Sequence, residues 1–391
     1  MAQLQMIINS KKLLFFLPFV ATTLFGDISY KVENTNITLS QGKSIAEDKR
    51  YVYNYNRARA YVNYTNEGYF ASVIGDVVNY LGDSYTSSSG FEYLKNSRAN
   101  TPFKVQTNFK DYGDGSVYAK LYRAYVGYED SKNRVVAGLQ NISMGVGRIW
   151  TPTNIFNPKN SYAIEPDEIY GVSAASYVRH LSDTSRVIFV ASQNAEKKFK
   201  YAGGYKGYLG FVDIGVNVVE SKKTKMLAYE IEGNLADTGI ELRSEAGYIK
   251  STLFNDLKQE YETEFFQGIL GAEYGFRNGV SVVFETLYSS KDFTNKERAL
   301  NLNSDILSNL LSANFYSGVT LSYSFNLFLE ASLLYIESFG DKNSRFVSPS
   351  LKYTLNDYNS FTIGAQILNG KEESEFGAYE NSYFFKWCLS F

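Results

Sequence analysis

One cysteine (Cys388) and one histidine (His180) in 391 residues remove several kinds of chemistry at once. A single thiol cannot close an intrachain disulfide, and no cysteine zinc site is possible. A single imidazole excludes histidine-clustered metal sites. His180 lies in SYVRHLSD with Ser182 and Asp183 crowded beside it at one strand end. A nucleophile–base–orienter set needs groups that approach one another from different elements, so no enzyme is expected. Net charge is also missing: 39 Lys plus Arg face 41 Asp plus Glu, for a formal charge of −2. That balance leaves no electrostatic footprint for nucleic acid. Only 6 residues are proline and 20% are charged, which is not the composition of a disordered chain. After residue 25 no apolar run approaches the ~20 residues that a helix needs to cross a bilayer. Nothing points to a cofactor or a metal.

Aromatic residues are plentiful instead, with 33 Tyr and 28 Phe. Lys11 and Lys12 precede the apolar stretch LLFFLPFVATTLF (13–25), and Gly26 follows it. A basic start, a short apolar core and a small residue at the exit read as a secretory signal over 1–26, cleaved after Gly26. Residues 27–391 would then form one domain.

Across that domain the dominant period is two. In AYEIEGNLA, Tyr229, Ile231 and Leu235 alternate with Glu230, Glu232 and Asn234; in GIELRSEAGYI, Leu242, Ala246 and Tyr248 alternate with Glu241, Arg243 and Glu245. Strict alternation sends successive side chains to opposite faces of a strand. A soluble sandwich alternates too. Segments of ~10–14 residues are long for soluble strands, and fully charged polar faces fit an apolar outside around a polar lumen. The reading is an all-β, antiparallel transmembrane barrel. Turn signals divide it into 18 strands, with 16 as the alternative. Short connections (TNEG, EDSKN, SDT, ADTG, RNG, NDYN) alternate with longer ones at 39–50, 81–114, 145–170, 251–260, 291–312 and 370–378. That alternation fits short inner turns, long external loops and both termini inside. One helix is expected over 303–315, starting at Ser304.

The ending AYENSYFFKWCLSF puts Tyr383, Phe385, Trp387, Leu389 and Phe391 on one face. It resembles the C-terminal strand signal of bacterial outer-membrane barrels, which the barrel assembly machinery reads. The segment GLQNISMGVGRIWTPTNIFNPKNSYAIEPDEIYG (138–171) resembles a motif of proteobacterial outer-membrane porin-like barrels of poorly known function. The matching residues are Gly138, Gln140, Gly145, Pro152, Thr153, Phe156, Asn157, Pro158, Glu165, Pro166, Asp167 and Glu168. Leu139 stands where a basic residue is usual, and Asn154 where Asp is usual. The resemblance implies secretion through the inner membrane and residence in the outer membrane, in contact with its lipid. A homo-oligomer is possible.

Three of the six prolines fall in this loop, which stiffens it against strand formation. A loop of this length is usually functional. Folded inward it would narrow the lumen, and the candidate constriction residues are Pro152, Asn154, Asn157, Pro158, Lys159, Glu165, Asp167 and Glu168. A flap over the rim is the alternative. By alternation, Arg57, Arg59, Arg123, Lys352 and Lys386 line the lumen on one side, and Glu230, Glu232, Glu241, Glu245, Glu273, Glu285 and Glu330 mainly on the other. Gln140 also faces in, and Arg243 breaks the pattern. Such walls would set a field across a pore. The function expected is passive diffusion of small hydrophilic solutes or ions. Two alternatives stay open: a plugged structural or adhesive barrel, and a dedicated transport barrel working with an envelope partner.

Overall fold

The computed structural model describes residues 26–43, 49–97, 99–340 and 342–391; apart from Gly26, the expected signal segment lies outside the described residues. Eighteen strands form a closed antiparallel barrel: β1 (Asp27–Gln41), β2 (Tyr51–Asn66), β3 (Tyr69–Leu81), β4 (Gly115–Glu129), β5 (Asn133–Gln140), β6 (Val172–Ser182), β7 (Ser185–Gln193), β8 (Phe199–Tyr208), β9 (Asp213–Ser221), β10 (Thr224–Asn234), β11 (Glu241–Phe254), β12 (Glu260–Gly275), β13 (Val280–Ser289), β14 (Phe315–Ser324), β15 (Leu329–Phe339), β16 (Ser344–Asn356), β17 (Asn359–Gly370) and β18 (Ser382–Ser390). Each pairs with the next, and β1 pairs with both β2 and β18. Closure gives each of the eighteen strands a paired neighbour on both sides. A further short strand, Lys110–Tyr112, pairs with the first residues of β4, where β5 does not reach.

The expected connections recur: short turns at one rim, long loops at the other. At TNEG, Glu67 (φ +45°) and Gly68 (φ +88°) take the left-handed conformations of a tight hairpin turn. Two expectations are corrected. The long connection expected at 145–170 begins at 141, because β5 stops at Gln140 and the chain beyond it turns into the lumen. The helix of the 291–312 loop is Asn295–Leu300, closed by a Thr294–Glu297 capping box, and not 303–315. In the latter segment Ile306, Leu310 and Leu311 repeat like a helix but are buried among loop and wall residues. Their spacing reflects packing.

The outer face carries the exposed apolar stripes, Tyr383, Phe385 and Phe391 among them. The inner face divides by height. Its short-turn half is polar. Its long-loop half carries apolar clusters, because inserted loops cover it: Ile249, Leu253 and Phe265 pack on Ile155, Phe156 and Ile306, while Leu287, Tyr316 and Ile336 pack on Ile149, Trp150 and Leu311. A third cluster seats Phe91, from the helix Ser89–Asn96, against Tyr53, Val78 and Tyr80.

Candidate functional site

The chain between β5 and β6 runs inside the barrel and touches opposite walls. At its entry Gly138 has φ +132°, and a Cβ there would lie 2.3 Å from the Ala124 carbonyl oxygen, so only glycine fits. Gln140, at the end of β5, is buried; it donates to the Ala174 oxygen at 2.8 Å and accepts from Ser176. It therefore anchors the root of the loop, whereas the sequence places it among the residues that line the lumen.

The next residues meet an acidic wall. Gly145 N donates to Glu230 at 2.8 Å; Val146 N and Gly147 N donate to Glu245, which also accepts from the Thr153 amide and hydroxyl at 3.2 and 3.1 Å. Glu285 accepts from Arg148 N, from Ile149 N at 2.8 Å and from Trp150 N at 3.2 Å. Glu245 and Glu285 are fully buried. A buried carboxylate is tolerated only where donors surround it, and these backbone N–H groups supply them. At Gly145 (φ +87°) a Cβ would stand 2.3 Å from the Glu245 carboxylate. The Arg148 side chain, half exposed, reaches Glu232 (3.2 Å), Glu241 (3.0 Å) and Glu273 (3.3 Å). Arg243, the cation that broke the sequence pattern, is buried among the same carboxylates and lies 2.6 Å from Glu273.

The middle of the loop is held to itself. Asn157 N donates to the Asn154 side chain at 3.1 Å, Asn154 Nδ2 to the Asn157 oxygen at 2.7 Å, and Ile142 N to Asn157 Oδ1 at 2.7 Å. Asn309, from the 291–312 loop, donates to the Pro152 oxygen at 2.8 Å. Lys159 N, next to Pro158, donates to Thr151 at 3.3 Å. Trp150 Nε1 donates to the Tyr162 hydroxyl at 3.2 Å, and Gln366 of β17 donates to the Tyr162 oxygen at 2.7 Å. Burial pushes the Tyr162 phenol well above its ordinary range, which keeps it a neutral hydrogen-bonding group.

The last turn reaches a basic wall. Arg57 grips Glu165 through two bonds of 3.0 and 3.2 Å; Arg59 grips Glu168 through two of 2.8 Å and Asp76 of β3 through bonds of 2.6 and 2.8 Å. Such forked pairs fix geometry as well as charge. The Tyr122 ring lies against the Arg59 guanidinium (3.6 Å) and the Arg123 guanidinium (4.4 Å), and Arg123 also donates to the Ile169 oxygen. Lys120 stands 3.5 Å from Asp76, and Lys386 stands 4.0 Å from Glu165. Asp167 is exposed.

Lys120, Tyr122, Asp76 and Arg148 were missed in the sequence. β4 carries a bulge: Leu121 opposes Gly75 and Arg123 opposes Ile74, which leaves Tyr122 unmatched. Without a bulge Lys120 and Arg123 would face opposite ways; with it both face the lumen. Asp76 sits in YFASVIGDVVNYL, whose two faces are about equally apolar, so alternation gave no direction. Glu330 and Lys352 pair across β15 and β16, exposed near the short-turn rim and away from the loop. The Ser182 hydroxyl contacts Ser185 Oγ at 2.6 Å.

Above the loop, towards the long-loop rim, lies a hollow of ≈590 Å³ lined by Phe156, Tyr170, Lys200, Lys222, Lys223 and Asp305, among others. Lys200 pairs with Asp305 at 2.9 Å and donates to the Ile155 oxygen at 2.9 Å.

No protein-family model and no curated protein matches this sequence. Solved structures do. The Acinetobacter baumannii channel OccAB1 matches with a TM-score of 0.62 at 11% identity, over 93% of this chain and 96% of that one. Pseudomonas aeruginosa OpdK, solved with vanillate, matches at 0.58 and 8% identity, over 93% and 98%. P. aeruginosa OccD3 (OpdP) matches at 0.57 and 9% identity, over 93% and 91%. With identities this low, what the chain shares with these proteins is their fold: the closed 18-strand barrel of the Occ outer-membrane porins.

Proposed function

We propose that this chain is a passive pore of the bacterial outer membrane, inserted there by the barrel assembly machinery after secretion across the inner membrane. One observation carries the reading. Loop 141–171 is pinned inside a barrel whose strand number otherwise leaves an aqueous lumen. Its amides meet Glu230, Glu245 and Glu285 on one wall, and its carboxylates meet Arg57 and Arg59 half the ring away. A loop tied at both sides narrows the passage in a fixed geometry, and the opposed charges bias what passes.

The solute class follows from the basic wall. Glu165 and Glu168 occupy the forks of Arg57 and Arg59 as a soluble carboxylate would, with Lys120 and Lys386 close by. A small organic anion, of the kind vanillate represents in OpdK, suits that surface. Planar-bilayer recording tests the reading: discrete conductance steps and a greater permeability to small carboxylates than to neutral sugars of the same size support it. A folded protein that gives no steps would favour a plugged barrel, a reading that the apolar clusters in the long-loop half support.

A further inference from the structure

A lipid-facing surface is expected to be apolar, and around most of this barrel it is. The side formed by β9 to β13 presents Val216, Leu227, Ile231, Tyr248, Leu270 and Phe284, all exposed. The outward face of β1 and β2 is different. Thr35 and Ile37 of β1 and Arg57 and Arg59 of β2 point inward and are buried. Alternation therefore sends Asn34, Asn36 and Thr38 of β1, and Asn54 and Asn56 of β2, outward.

These five residues form a patch of two adjacent hydrogen-bonded groups. Asn34 and Asn56 exchange reciprocal bonds of 3.1 and 3.1 Å, Asn36 and Asn54 exchange bonds of 3.0 and 2.8 Å, and Asn54 also donates to Thr38 at 3.0 Å. The patch does not sit at the rim. In register on β18, Asn34 opposes Leu389, Asn36 opposes Trp387 and Thr38 opposes Phe385, all on the apolar stripe. Val52 is exposed on its long-loop side, Leu81 beside Asn54 on β3, and Val32 and Val62 on its short-turn side.

A carboxamide offers two N–H donors and an oxygen with two lone pairs. The pairs above leave one N–H each on Asn34, Asn36 and Asn56, and the Thr38 hydroxyl hydrogen, without a partner among the described residues. Hydrocarbon supplies no partner for them, and polar residues in such surroundings mark contacts between membrane segments. Beside the amides the surface is flat and small: Ala58 and Ala60 are exposed, and a Cβ at Gly75 would touch only the Lys120 oxygen, at 4.0 Å. Small residues of this kind let two backbones approach closely.

We infer that the outward face of β1 and β2 is the contact surface of a second copy of this chain. The occupant follows from the chemistry of the patch. Amides carry donors and acceptors together, so the patch is complementary to itself and can serve on both sides of a two-fold axis. The contact stands whether or not the lumen conducts.

The test uses the full barrel extracted from membranes. Native mass spectrometry is expected to give twice the monomer mass. The variant carrying Asn34→Leu, Asn36→Leu, Asn54→Leu and Asn56→Leu is expected to give the monomer mass, with heat-modifiable mobility retained. An Asn36→Cys variant on a Cys388→Ser background should cross-link to itself in intact membranes, and a Leu270→Cys variant on the same background should not. The cross-link decides the matter if the fourfold variant does not fold. A wild-type monomer with no cross-link at position 36 overturns the inference. So does a monomer that retains one lipopolysaccharide molecule and loses it in the leucine variant, because the amides would then serve a lipid sugar.

Discussion

Replacing Glu285 by glutamine isolates one staple of the inserted loop. The side chain is fully buried; one oxygen accepts from Arg148 N and the other from Ile149 N and Trp150 N. Glutamine keeps a single acceptor oxygen and turns an amino group towards the other donors, so one or two charge-assisted bonds are lost whichever way it settles. At roughly 1.5–3 kcal/mol for each bond to a charged group, the local cost is roughly 1.5–6 kcal/mol. A factor of ten is about 1.4 kcal/mol, so the amides of 148–150 should open at least about 10-fold more often. Hydrogen–deuterium exchange of a peptide spanning 146–152 reads this directly, because exchange reports local opening. Glu230 and Glu245 still hold Gly145 to Gly147, so the effect should stay local and the barrel strands should exchange as before. Exchange of 148–150 within about twofold of the wild type would refute the claim that wall carboxylates hold the loop.

Reversing both Arg57 and Arg59 to Glu should shift the reversal potential in a salt gradient towards cations, since Glu165, Glu168 and Asp76 would lose their counter-charges in a poorly screened passage. Deleting Phe391, which is exposed at the end of the outer stripe, should reduce the heat-modifiable, folded barrel in the outer membrane; normal levels would show the ending to be dispensable for assembly. A tag accepted at Asp130–Lys132, in a short turn, should stay unlabelled on intact cells, whereas one beside Leu257, in the long-loop rim, should be labelled. The reverse pattern would invert the topology.

The number and order of strands were legible because one side of most strands meets an apolar surround, so alternation carries the signal. The lumen was less legible, for three physical reasons. The inserted loops bury the long-loop half, so inward positions such as Ile249, Leu287 and Ile336 are as apolar as outward ones. A bulge at Tyr122 shifts the parity of β4 and brings Lys120 to the lumen. The binding of loop amides by Glu245 and Glu285 is a backbone interaction, which side-chain patterns cannot encode. Arg243 is an exception to wall polarity in the sequence pattern alone, since carboxylates surround it in the fold. On β1 and β2 alternation places Asn34, Asn36, Asn54 and Asn56 outside, against the general rule for a lipid face.

The central claim is that loop 141–171, tied to both walls, sets the width and charge of a conducting lumen. Single-channel recording of the wild type beside a variant lacking residues 153–166 tests it most directly. This deletion removes Glu165 and the buried Asn154–Asn157 turn while leaving the staples at 145–150 and the Glu168 contact in sequence. The account predicts small, ion-selective steps for the wild type and larger, less selective steps for the deletion, with both barrels heat-modifiable. Equal conductance and selectivity in two folded barrels would contradict it.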